Sequence, residues 1–185
     1  MNSGLEILAD AVLANNLVLL QGLGLYALTR YTKDVRSAFE SSIAMFAVLF
    51  TATLLVWAAE AFVPVLYALD LPFYLLVAAA SAFFWNFVFA KMPLGERIDR
   101  TLPGALFNSI LVGALLLLPE RGVFGSGIVG YGLSAGLGYG LVLVVMAGIR
   151  ERLNLSPVPK PFQGIPILLI TVGLLALSFM GFRIQ

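Results

Sequence analysis

The sequence predicts an all-α integral membrane protein with six transmembrane helices. Hydrophobic residues fill 61% of the 185 positions and charged residues only 11%, with a mean hydropathy of +0.99. A soluble domain carries about a quarter charged residues, so this chain lacks the polar surface to face water. Six long apolar stretches occupy most of the length, and the charges gather in knots between them, such as Arg150-Glu151-Arg152. A spanning helix takes about 20 apolar residues, which leaves no length for a soluble domain. One membrane domain, 1–185, is expected.

In chain order the spans are expected at about 8–29, 39–62, 72–90, 102–118, 127–149 and 164–182. Lipid offers no partner to a backbone amide, so a lone apolar segment must be helical unless it closes a barrel. These runs lack the alternation of a barrel strand. Arg30, Lys33 and Arg36 follow span one; Lys91, Arg97 and Arg100 follow span three; Arg150, Arg152 and Lys160 follow span five. The other side holds Arg121 and Arg183 alone. The positive-inside rule then puts the three basic loops in the cytoplasm and both termini outside. Glu6 and Asp10 near the start, with no basic region before them, argue against a cleaved leader.

Three spans are unusual. Span five is rich in glycine, and Gly132, Gly136 and Gly140 recur at intervals of four. Such spacing lets helices approach closely in lipid; plain packing is the expected reading and a groove for a ligand or partner the alternative. Span one contains Asn15, Asn16 and Gln21, followed by Gly22 and Gly24. Span four opens with Pro103 and Gly104 and contains Asn108, Ser109 and Gly113. Amides at membrane depth should face the bundle interior and pair there, and the nearby glycines and prolines point to bends or unwinding. Asn15-Asn16-Leu17-Val18-Leu19 also matches Asn108-Ser109-Ile110-Leu111-Val112. These are the first spans of two three-helix halves, about 1–95 and 96–185. An odd number of spans per half makes the halves inverted repeats. Polar, interrupted helices at matched positions then point to a seam near the midplane; helix-to-helix glue is the simpler alternative.

The absence of cysteine and histidine excludes disulfides, thiolate metal sites and the usual imidazole ligands. It also removes the parts of a catalytic triad. GLGLY at 22–26 lies inside a span, without the strand–turn–helix setting of a dinucleotide fingerprint. No basic stripe points to nucleic acid. Arg150-Glu151-Arg152 is expected to anchor the cytoplasmic interface, or else to dock a soluble partner together with Lys160. Pro157, Pro159 and Pro161 should stiffen the following loop into an extended strap. Glu60 is expected to reach the outer interface, and Tyr26 to be an interior aromatic or a polar gate.

ANNLVLLQGLGLY at 14–26 and the ordered series IRERL, VPKPFQG, ITVGL and FMGF resemble the RnfA/NqrE family. Lys33, Ala38, the LP at 102–103, Asn108 and Gly113 extend the likeness, which is thinner between about 40 and 100. The RnfE/NqrD type lacks the VPxPF loop. The resemblance implies a six-helix subunit of an Rnf-type or sodium-pumping NADH:quinone oxidoreductase complex in a bacterial or archaeal inner membrane. It implies pairing with an RnfE/NqrD-type sister, contact with subunits bearing flavins and iron–sulfur clusters, and membrane lipid as surroundings. It also implies an intramembrane two-iron two-sulfur cluster held by a cysteine from each of the first and fourth helices together with two more from the sister. Those positions fall on Tyr26 and Ser109 here, and an acidic family position late in span three falls on Asn86. With the sulfur ligands missing, no cofactor is expected in this chain, and a structural, docking or ion-path role is expected. The alternatives are a repurposed small-solute or ion carrier and a non-catalytic assembly scaffold.

The topology is directly testable, because the chain has no native cysteine. A cysteine placed before Glu6 or after Arg183 should react with membrane-impermeant maleimide added to intact cells. Labelling only after lysis would reverse the orientation.

Overall fold

The computed structural model describes residues 12, 16–62, 70–91 and 108–181. Asn15, Arg97, Arg100, Pro103, Gly104 and Arg183 lie outside the described residues, as do positions 8–11, 13–15 and 102–107 of spans one and four. All regular structure among the described residues is helical: α1 Leu17–Gln21, α2 Leu25–Arg30, α3 Val35–Phe62, α4 Asp70–Lys91, α5 Ser109–Glu120, α6 Gly127–Asn154, a 3-10 turn Lys160–Phe162, and α7 Ile165–Met180. Among the described residues three helices are long and apolar enough to cross a membrane, within α3, α4 and α6; α5 and α7 are shorter and apolar.

Local chemistry sets the ends. Span one is broken, as its glycines imply: α1 stops at Gly22 (φ 64°) and α2 starts from Gly24 (φ 76°), both in the left-handed region. Span two begins at Val35, four residues earlier than its apolar run, because Asp34 caps it. The Asp34 carboxylate accepts from the Ser37 amide (2.7 Å) and hydroxyl (2.9 Å). Span five runs five residues beyond its apolar stretch, to Asn154, so Arg150, Glu151 and Arg152 are helical. The proline strap is extended at Pro159 but tightens into a 3-10 turn where the Phe162 amide reaches the Pro159 carbonyl (2.9 Å). Gly164 (φ 83°, ψ −127°), a conformation open chiefly to glycine, then turns the chain into α7.

The antiparallel pair α3 and α6 forms the most extensive contact. At 28 residues each, these helices are about 42 Å long, enough to carry their ends past a hydrocarbon layer of about 30 Å. The glycine stripe of α6 is the reason they lie so close. A Cβ on Gly132 would strike Thr53; one on Gly136 would come within 2.6 Å of the Phe46 ring, and one on Gly140 within 3.2 Å of Ser42. The plain-packing reading of the stripe therefore holds for all three positions. Each hydroxyl at this seam has a carbonyl partner inside its own helix: Thr53 bonds Leu49 (3.0 Å) and Ser42 bonds Ala38 (2.6 Å).

The remaining helices pack around that pair in two sets. Helix α1 lies against α6 and α7, whereas α5 lies against α3 and α4. Buried Leu49, Leu111, Leu115, Leu143 and Met146 fill the space between. Trp85 of α4 donates its indole N–H to Thr51 of α3 (3.0 Å), and its neighbour Asn86 is half-buried. At one end Glu151 accepts from the Val35 amide (3.2 Å), so the first and third basic loops meet there.

Substituting Gly132 with Leu should lower stability by about 1–3 kcal/mol through overpacking, seen as a lower thermal midpoint in detergent. Gly130→Ala is the control: nothing lies within 4 Å of its added Cβ, so no loss is expected. A second prediction concerns acid. The Ser37 amide holds the Asp34 carboxyl below its ordinary value, partly offset by burial. The cap should be fully present above the ordinary carboxylate pKa and disappear as pH falls through the lowered one. Asp34→Asn keeps a capping oxygen that does not titrate, so its thermal midpoint should decline less than the parent's on acidification.

Candidate functional site

Of the asparagines singled out in spans one and four, Asn16 and Asn108 do the same job. Asn16 is 1% exposed and precedes α1 in extended backbone. Its Oδ1 accepts from the Val18 (3.0 Å) and Leu19 (3.3 Å) amides. Asn108 precedes α5 in the same manner and accepts from Ile110 (3.0 Å) and Leu111 (3.2 Å). Each thereby satisfies two orphan donors of a helix that starts within the apolar body. The equivalence pairs Asn16 with Asn108, one residue away from the register read in the sequence, which set Asn15 against Asn108.

Their amide nitrogens reach outward to the central helix pair. Asn16 Nδ2 donates to the Val12 carbonyl (2.8 Å) and across to the Gly138 carbonyl of α6 (2.9 Å). Asn108 Nδ2 approaches Met45 Sδ of α3 (3.6 Å). Gly138 belongs to a different face of α6 from the stripe; a Cβ there would come within 2.9 Å of Asn16 Nδ2. Its place in the site was not legible, because in the sequence it is one glycine among many. A carbonyl flanked by no bulky side chain is the signal that it carries.

The break in span one rests on the start of α5. The Gly24 amide donates to Ser109 Oγ (3.0 Å). A Cβ on Gly24 would touch Tyr139 (3.5 Å) and Ile110 (3.6 Å), and one on Gly113 would come within 2.5 Å of Leu23. Gly24, Ser109 and Gly113 are thus brought together, with apolar neighbours. Two expectations need correction. The Gln21 side chain, at the last residue of α1 before the left-handed Gly22, is exposed and not turned into the bundle interior. Tyr26 is 62% exposed and packs into no interior of this chain.

A third tie holds the end of span one. Arg150 Nη1 donates to the Thr29 carbonyl (3.0 Å) and to Thr32 Oγ1 (3.3 Å), covering an orphan carbonyl at the end of α2 with a cation. This contact between loops far apart in sequence was not foreseen. Of the three basic side chains expected to dock a partner, Arg150 is engaged within the chain, and Arg152 and Lys160 are exposed.

The site is built from neutral amides, hydroxyls and backbone. No group of three or more His, Asp or Glu side chains gathers among the described residues. Tyr26 and Ser109 offer only oxygen donors, and the Ser109 oxygen already accepts from Gly24. Iron–sulfur clusters are held by thiolates and occasionally by imidazoles, so these two residues do not fit such a group.

Comparison with known proteins places this geometry. A family described as Rnf-Nqr subunit, membrane protein, matches residues 4–185. The chain belongs to the Rnf-Nqr family. It is similar to an ion-translocating oxidoreductase complex subunit from Azotobacter vinelandii, with 39% identity over 186 residues, 95% of this chain and 94% of the relative. A protein of the same description from an Azoarcus species is 37% identical, covering 98% and 97%. One from Edwardsiella ictaluri is 38% identical at the same coverage. For this Rnf-Nqr chain, the broken first helix and the capped α5 are therefore features of a membrane subunit.

Replacing Asn16 with Leu should cost about 1–3 kcal/mol, since it strands two amides and the Gly138 carbonyl. A fall of roughly 2–4 °C in thermal midpoint is expected for each kcal/mol. Asn16→Asp keeps the cap but loses the bonds to Val12 and Gly138, and should fall between the two. Equal midpoints for all three proteins would show that the amide has no structural part.

Proposed function

We propose that this chain is a membrane subunit of an ion-translocating oxidoreductase complex, as its curated relatives are named. The observation that carries the reading is the identity to those relatives over nearly the full length of both chains. In this reading residues 1–185 form one domain of six spans with both termini outside, in the cytoplasmic membrane of a bacterium or archaeon. Its halves, about 1–95 and 96–185, are inverted repeats. Packing supports that: the first span of one half lies on the last two spans of the other, α1 on α6 and α7 and α5 on α3 and α4. The antiparallel α3 and α6 then flank the pseudo-twofold axis, and Asn16 and Asn108 are its matched caps.

The chain pairs with an RnfE/NqrD-type sister through the face that carries Tyr26 and Ser109, both exposed on this chain. The family's intramembrane cluster is lost here, because the oxygen donors at those positions are a poor substitute for sulfur. Electrons travel through flavins and clusters of partner subunits. This chain supplies structure, docking through Arg152 and Lys160, or an ion path along the seam of Asn15, Asn16, Gly22, Gly24, Asn108 and Gly113. Mild solubilisation of native membranes with a tagged chain tests the proposal. The chain should be recovered with a sister six-helix protein and with flavin-bearing subunits, and no iron should be bound to it. Recovery of a stable chain alone would overturn the complex, and iron–sulfur signals lost on substitution of Tyr26 or Ser109 would overturn the missing cluster.

A further inference from the structure

Beside the glycine seam, α3 and α6 leave an open groove of about 520 Å³ between their outer side chains. Phe39, Ile43 and Phe46 wall one side and Leu137, Leu141 and Val145 the other, above a floor of Gly136 and Gly140. Those glycines set α6 close against Phe46 and Ser42, so the floor is shallow backbone. Phe39, Ile43 and Leu137 are each more than half exposed (57%, 53% and 52%), so the described chain leaves the groove uncovered. Ser42 is the one polar side chain lining it, and its hydroxyl is engaged with the Ala38 carbonyl (2.6 Å). Nothing inside is left to read a polar ring or a hydroxyl, so the fitting occupant is plain hydrocarbon. The volume lies within the range of small-ligand pockets, about 300–1,000 Å³.

One end of the groove carries cations. Arg36 precedes Phe39 by three residues and Ile43 by seven, and Arg152 follows Val145 by seven. These spacings put both guanidiniums on the groove's face of their helices, one to two turns from its mouth. The Arg36 side chain is 70% exposed and bonds Glu40 through Nε alone (3.0 Å). Arg152 is exposed and makes no hydrogen bond or ion pair through its side chain among the described residues. The nearby carboxylates are already engaged: Glu40 by Arg36, Glu151 by the Val35 amide and Asp34 by Ser37.

We propose that this groove is a binding site for an anionic phospholipid, one acyl chain lying between α3 and α6 and the phosphate between Arg36 and Arg152. Guanidinium is suited to phosphate oxygens, and the basic ends of both helices stand where headgroups lie if they span the bilayer. The inference rests on the membrane placement of α3 and α6 and competes, at Arg152 alone, with the docking role proposed above.

The test uses the full chain in phosphatidylcholine vesicles containing a minor share of phosphatidylglycerol with a photoreactive diazirine in its acyl chain. Labelled residues are mapped by mass spectrometry. Label should concentrate on Ile43, Leu137 and Leu141, well above that on Phe83 and Phe84, which are more exposed apolar residues of α4. Arg36→Gln and Arg152→Gln should each reduce groove labelling about fivefold and leave the α4 label unchanged. The same diazirine on phosphatidylcholine should label the groove weakly and ignore both substitutions. Groove labelling no stronger than that of α4, or indifferent to headgroup and to both arginines, would overturn the site. So would displacement of the label by a short-chain quinone. Protection of the groove in the intact complex but not in the chain alone would assign it to a partner helix and likewise overturn the proposal. Co-purification of the other subunits is read separately, so failure here and failure of the complex are distinct results.

Discussion

A backbone amide in hydrocarbon has to find its partner within the protein, and the first span of this chain meets that demand in an unusual way. It is cut into α1 of five residues and α2 of six, far below the length at which an isolated helix is stable. Side chains secure the pieces at three levels. Asn16 caps the start and ties it to Gly138, Ser109 receives the Gly24 amide at the break, and Arg150 binds the Thr29 carbonyl at the end. Two of those three ties come from other spans, so the broken helix is only as well placed as the bundle behind it.

That bundle is ordered by the absence of side chains as much as by their presence. Gly132, Gly136 and Gly140 let α6 lie against Thr53, Phe46 and Ser42, while Gly138 on another face opens the approach for Asn16. One helix thus serves as a platform toward two neighbours. The same glycines that close the seam with α3 also leave the shallow outer groove beside it. A larger residue at any of them would push apart the elements on which the capped half-helices depend.

Much of this was legible in sequence because lipid imposes such strict terms. Length and hydropathy located the apolar segments, and the glycines of GLGLY marked the break in span one. Plain packing of the four-residue stripe also held. What sequence could not supply was register and direction. Whether Asn15 or Asn16 corresponds to Asn108 depends on which oxygen reaches the next turn's amides, and only the folded chain shows that. Gln21 reads as a third buried amide but lies at a helix end and points out. Arg150 reads as one member of a charged knot, yet it bonds the end of α2, 121 residues away. Asp34 and Glu151 shift helix ends past their apolar limits for reasons of hydrogen bonding, which hydropathy does not record.

Membership in the Rnf-Nqr family gives these details a setting, and the chemistry of the matched caps adds a bound on how any ion could be coupled to it. Asn16 and Asn108 bind helix ends with an amide, which has donor and acceptor character but no charge to gain or lose. Ser109 is equally inert to titration in the physiological range. The dipoles that these described side chains present are therefore the same in acid and in alkali.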